Sequence, residues 1–161
     1  MPTTPVIANN TPLVALWSLD RLWLLRELYG EILIPQSVAE EFCATEQTLR
    51  EHALKQSSWI RPTPLADPRQ ALVYIGLDRG EADVLALAQE RSARLVIMDE
   101  RRGRRYAKRL GLPVTGTVGI LLAAKERGLV TAITPLLETL VQEGLYLTPD
   151  IIAKARELAQ E

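Results

Sequence analysis

The sequence predicts an α/β fold, a mostly parallel sheet covered by helices in a three-layer α/β/α sandwich. Three observations predict it. Short, almost continuous apolar runs of strand length recur along the chain, as in strands buried on both faces. Segments with helical periodicity lie between them, and that alternation calls for right-handed crossovers between parallel strands. The 161 residues are 47% hydrophobic, enough for one sizeable core. A single domain is expected over residues 1–161, closed by helices at about 134–160.

Residues 6–8 read as the first strand. They run into Asn9-Asn10-Thr11-Pro12, a helix start in which Thr11 caps and Pro12 takes the first helical position. Leu13, Leu16 and Leu19, then Leu22, Leu24, Leu25 and Leu28, mark two short helices. Residues 31–34 read as a strand stopped by Pro35, and 37–44 as a helix with Val38, Ala39 and Phe42 inward. A polar helix is expected at 46–56 and an extended segment at 58–64. Pro62, Pro64 and Pro68 mark a connection. Residues 80–91 form an amphipathic helix on Val84, Leu85, Leu87 and Ala88. The strand 94–98 ends at Asp99, and a basic helix at 101–110 is stopped by Gly111. A short strand at 112–115 and an apolar helix at 117–127, stopped by Gly128, precede helices at 134–142 and 149–159.

Composition narrows the function classes. Lys and Arg number 19 against 20 Asp and Glu, for a net charge of -1. A nucleic-acid partner would therefore meet a local basic patch. Cys43 and His52 are the only residues of their kinds, so no internal disulfide and no Cys/His zinc site is expected. No Gly-x-Ser-x-Gly elbow is present, and Gly116-Thr117-Val118-Gly119 is neither a P-loop nor a dinucleotide fingerprint. No apolar run is long enough to span a membrane, and no signal peptide opens the chain. A cytoplasmic protein is expected. Cys43 is expected in the core and His52 in solvent. Trp17, Trp23, Trp59 and Tyr146 are expected as core or interface anchors.

In parallel α/β sheets, ligands bind beyond the carboxyl ends of the strands. Asn9 and Asp99 each follow a strand and belong to that rim. Glu81 opens a helix and Glu41 lies inside one. Each has an ordinary structural reading beside a functional one. Asn9 and Thr11 suit a helix cap, and Asp78 with Glu81 has capping-box spacing. Asp99 suits a cap for the next helix, and Glu41 beside Glu40 suits a solvated face. Arg101, Arg102, Arg104, Arg105, Lys108 and Arg109 form the densest basic cluster, either a solvated face or a phosphate-holding one.

The order of motifs resembles the PIN-domain family, in particular a toxin-like subfamily. The opening Val6-Ile7-Ala8-Asn9-Asn10-Thr11-Pro12-Leu13 looks like that subfamily's first motif. Pro35-Gln36-Ser37-Val38-Ala39-Glu40-Glu41 is similar to its second, Gly80-Glu81-Ala82-Asp83 to its third, and Leu95-Val96-Ile97-Met98-Asp99 with Arg105 to its fourth. Gly111-Leu112-Pro113-Val114-Thr115-Gly116-Thr117 resembles its last strand and turn. The resemblance runs from about residue 6 to 159.

That resemblance implies a PIN-like fold and hydrolysis of RNA with Mg²⁺ or Mn²⁺ held by Asn9, Glu41, Glu81 and Asp99. Such hard cations prefer oxygen donors, activate water and neutralise phosphate charge. Asn9 stands where most catalytic members carry Asp, which removes one negative charge, although the resembled subfamily has Asn there too. Asp83 and Glu100 lie near enough in sequence to supply some of it. Thr11, Arg101, Arg102, Arg105 and Thr117 are the expected substrate contacts. An RNA substrate, a small protein antitoxin and a homodimer are the implied partners. The alternative is a catalytically weak RNA- or antitoxin-binding module. A third reading, a phospho-acceptor regulator, would want an acid at the first strand end and a lysine on a late strand, and neither is present.

Overall fold

The computed structural model describes residues 4–161. Five strands, β1 (Val6–Ala8), β2 (Ile32–Pro35), β3 (Ile60–Thr63), β4 (Leu95–Ile97) and β5 (Val114–Thr115), form one sheet in the order β3-β2-β1-β4-β5. All four pairings are parallel. The central strands β1 and β2 are buried at every residue, which explains their unbroken apolar sequence. Pro62 sits on β3, at the sheet's edge, where a missing donor is tolerated.

Nine α-helices are described: α1 (Asn10–Ser18), α2 (Trp23–Tyr29), α3 (Gln36–Cys43), α4 (Gln47–Gln56), α5 (Arg79–Arg91), α6 (Arg101–Arg109), α7 (Thr117–Glu126), α8 (Thr134–Gln142) and α9 (Pro149–Leu158). Helices α3 and α6 pack on α5, which lies across β1, β2 and β4. Helices α2 and α7 pack together, α9 lies against α7 and α8, and α1 bridges α3 and α7. Among the described residues, no helix is long and apolar enough to cross a membrane.

Two local expectations are corrected. Helix α1 begins at Asn10 with Asn9 in the capping position, so Thr11 and Pro12 lie inside the first turn. Proline is accommodated there because early helical N–H groups have no intrahelical acceptor. The proline-rich connection also contains a 3₁₀ helix, Pro68–Val73. Asp67 caps it through the Arg69 N–H, a local bond that apolar periodicity does not register.

The connections β1 to β2 to β3 step outward in one direction, and β4 returns to the other side of β1. The β1/β4 boundary is therefore the switch point of the sheet, where a crevice opens beyond the strand ends. Ala8 is in register with Ile97, and the Asn9 N–H donates to the Ile97 carbonyl at 2.9 Å. Asn9 and Asp99 therefore leave adjacent strands at the same rim.

Candidate functional site

Asn9 is 5% exposed and makes no side-chain capping bond. Its amide is thus not spent on the helix it precedes. Gly80, the second residue of α5, shows where it points. A β-carbon at Gly80 would lie 2.9 Å from Glu41 Oε2, 3.5 Å from Val38 Cγ2 and 3.6 Å from Asn9 Oδ1. Side chains from the end of β1 and from α3 thus converge on the first turn of α5. The lack of a side chain at residue 80 leaves them room.

The next residue, Glu81, closes a capping box with Asp78. Its N–H donates to Asp78 Oδ1 at 2.8 Å, and the Asp78 N–H donates to Glu81 Oε2 at 3.4 Å. The structural role foreseen for Glu81 is met. The carboxyl is nonetheless perturbed. Burial first, then the charge and side-chain bonding of Asp78 and the charge of Glu100, push it up to about 7. Glu41 moves the same way, through burial and then Asp78, against a hydrogen bond from Asn10. Asp78 therefore acts on both glutamates. Asn10 Oδ1 is buried and has no hydrogen-bond partner.

Asp99 does not cap α6. Glu100 does so, accepting from the Gly103 N–H at 2.8 Å. Asp99 turns instead to the start of α7. The Thr117 N–H donates to Oδ1 at 2.8 Å and the Thr117 hydroxyl to Oδ2 at 2.6 Å. A carboxylate there also meets the positive end of the helix. Thr117 is wholly buried, so its observed contact is Asp99. A β-carbon at Gly116 would fall 2.5 Å from Asp99 Oδ1. Arg104 closes the turn, donating from Nη1 to the Met98 carbonyl at 3.0 Å.

Helix α6 places Arg101, Arg104, Arg105 and Lys108 along one cleft of about 550 Å³ that has Asp99 and Gly116 in its wall. Arg101 and Arg105 are exposed. Arg102 turns the other way, to the Gly76 carbonyl at 3.4 Å, and Arg109 lies over the Tyr106 ring. Thr11 is exposed on α1. Asp83 accepts from the Ser37 hydroxyl at 2.5 Å and lies 3.8 Å from Arg79. Its observed partners are thus Ser37 and Arg79, whereas Glu100 does act on Glu81.

The four expected residues do not close into one cluster, and Asp99 is turned to Thr117. Asn9 and Glu41 meet at Gly80, Glu81 follows with Asp78 and Glu100, and Asp99 adjoins Glu100. Among the described residues, no three His, Cys, Asp or Glu side chains stand close enough together to hold an ion as oriented. The donor chemistry still suits a hard divalent cation. The side-chain atoms that meet at Gly80, Asn9 Oδ1 and Glu41 Oε2, are oxygens, and both glutamates are raised by burial first and then by Asp78. Sequence reading missed Asp78 as a charge on the site, Gly80 as its floor and Arg104 as a brace. Asp78 was visible only as a cap. The other two depend on how α5 and α7 approach their neighbours.

The remaining observations come from comparison with known proteins. Residues 5–161 match a family model described as a PIN domain. No curated protein matches the sequence.

Proposed function

The chain belongs to the PIN-domain family, and from that premise we propose that it is a metal-dependent ribonuclease, the toxin of a toxin-antitoxin pair. Asn9, Glu41, Glu81 and Asp99 would hold Mg²⁺ or Mn²⁺. When bound, the ion supplies an activated water and charge neutralisation for phosphodiester hydrolysis. The chain's own residues do the rest. Thr117 holds both oxygens of Asp99 in place, and Arg104 fixes the turn before it. Arg101 and Arg105 hold the RNA backbone along the cleft. Glu81, whose carboxyl is raised to about 7 by burial and then by Asp78 and Glu100 in the metal-free chain, would give up its proton when it takes the ion.

The observation that carries this reading is the meeting of Asn9 and Glu41 over Gly80, one residue from Glu81 and at the switch point of the sheet. A small antitoxin has an apolar foothold beside these acids, where Leu72 is 77% and Ile75 81% exposed, on the segment leading to Asp78. A homodimer belongs to the same proposal and is checked by sedimentation of the purified chain.

The second reading, a weakly catalytic binding module, is favoured by one specific feature: Asn9 brings an amide where an acid would add charge. Incubating the protein with single-stranded and structured RNA, in Mn²⁺ or in EDTA, separates the two. Metal-dependent cleavage that is lost in Asp99→Ala supports the ribonuclease, and binding without cleavage supports the module. In the same assay Asn9→Asp is expected to tighten Mn²⁺ binding, read by calorimetry. No gain would remove Asn9 from the ligand set.

A further inference from the structure

The segment between α8 and α9 carries Leu145-Tyr146-Leu147. Two residues beyond the end of α8, Gly144 takes φ +104°, and the Leu145 N–H returns to the Leu140 carbonyl at 2.9 Å. Leu145 and Leu147 then pack against the core on either side of Tyr146. Between these two half-buried leucines, Tyr146 is the side chain turned out. At 85% exposed it is the most exposed large apolar side chain among the described residues. Sequence reading expected an aromatic here to serve as a core or interface anchor; the core is excluded by this exposure.

Its surroundings say what it serves. Tyr146 lines the same cleft as Asp99 and the α6 cations Arg101, Arg104, Arg105 and Lys108. An apolar partner surface would have no use for four cations. A basic groove that tracks phosphates, with an aromatic ring facing it, matches what single-stranded nucleic acids require: charge for the backbone and a π-face for an unpaired base. A duplex keeps its bases stacked inside and offers the ring no base face.

We propose that Tyr146 is a base-stacking platform that makes this cleft selective for single-stranded RNA entering toward Asp99. The proposal rests on the ribonuclease reading for the direction of the strand, and not for the stacking itself.

The test uses the whole chain in EDTA, so that binding is read without cleavage, by fluorescence anisotropy. The probes are a labelled single-stranded RNA of about eight nucleotides and a duplex of the same sequence. Tyr146→Ala is expected to weaken the single strand about 5- to 10-fold and to leave the duplex within about 2-fold. Tyr146→Phe keeps the ring and is expected to retain binding. Arg105→Ala is expected to weaken both probes. Equal effects of Tyr146→Ala on both probes, no effect on either, or no binding of the single strand by the unaltered protein would each overturn the proposal. So would loss of binding to a poly-glutamate peptide in Tyr146→Ala with RNA unaffected, which would make the cleft a protein site. The same variants assayed with Mn²⁺ keep the two ideas apart. Cleavage indifferent to Tyr146 sinks the platform alone, whereas selective binding without any metal-dependent cleavage sinks the ribonuclease alone.

Discussion

Glu81 closes the capping box of α5 and, under the proposed reading, would also hold the ion, and its protonation is where the two roles would conflict. The capping box needs its carboxyl near the Asp78 N–H, while burial and the charges of Asp78 and Glu100 favour the neutral acid. The folded-state value is raised from 4.5 to about 7, so between those limits the metal-free folded chain binds more protons than the unfolded one. This contribution to folding is full below pH 4.5, falls as pH rises, and is gone above about 7. Glu81→Gln keeps the capping geometry, since glutamine serves at that position, and removes the titrating group. Thermal melts in EDTA at pH 5 and pH 8 are therefore expected to show a smaller loss of stability in the variant than in the unaltered chain. Some loss remains, because Glu41 shifts in the same direction. Identical losses in the two proteins would mean that Glu81 is not crowded as described. Mn²⁺ is expected to bind more tightly as pH rises through 7, because it competes with that proton.

Between elements, the geometry turns on how closely α5 approaches α3 and the end of β1. Gly80 is not forced by its backbone; its need is space. The nearest atom to an added β-carbon is Glu41 Oε2 at 2.9 Å, the far end of a flexible side chain, with Val38 and Asn9 at ordinary contact distance. Gly80→Ala should therefore cost no folding stability, since alanine is also the better helix former by up to about 1 kcal/mol. It should displace the Glu41 carboxylate and weaken Mn²⁺ binding. Calorimetry beside a thermal melt reads both, and unchanged metal affinity with unchanged stability would disconnect Glu41 from the site. The same geometry explains what was legible beforehand. Strand runs, glycine stops at 111 and 128 and the Asp78–Glu81 box are local signals, and the structure contains them all. The start of α1 was misplaced because Asn9 sits in the capping position without a capping bond. The quartet came from family likeness, while its pairing over Gly80 depends on the packing of α3 against α5, which no periodicity encodes. Glu100 taking the cap expected of Asp99 was hidden for a related reason. Two consecutive acids precede α6, and only the position of Thr117 decides which one turns away.

Across the whole molecule, near neutrality in net charge conceals a sharp division. The chain carries a net charge of -1, yet α6 presents cations along the cleft beside Asp99, while Asp78, Glu81 and Glu100 gather at the adjoining rim. Under the ribonuclease reading, a polyanion drawn to the cleft would meet those acids, and a divalent cation between them would relieve the repulsion. Binding of RNA in EDTA should therefore be weak overall and strongly salt-dependent, governed by the few cations on that face rather than by the total. For a single strand, each phosphate contact contributes about 0.7 to the slope of log affinity against log salt. Replacing Arg101 and Arg105 together by alanine is expected to reduce that slope by about 1.4. Both side chains are exposed, so the fold should not change. Arg61 provides the control. It is equally a surface cation, but it lies on β3 at the sheet's far edge and pairs with Glu31 at 3.3 Å, and Arg61→Ala should leave the slope as it was. Anisotropy titrations across a series of KCl concentrations measure all three proteins. If the Arg101/Arg105 and Arg61 variants lose slope equally, RNA is held by diffuse charge, and the cleft beside Asp99 is not its path.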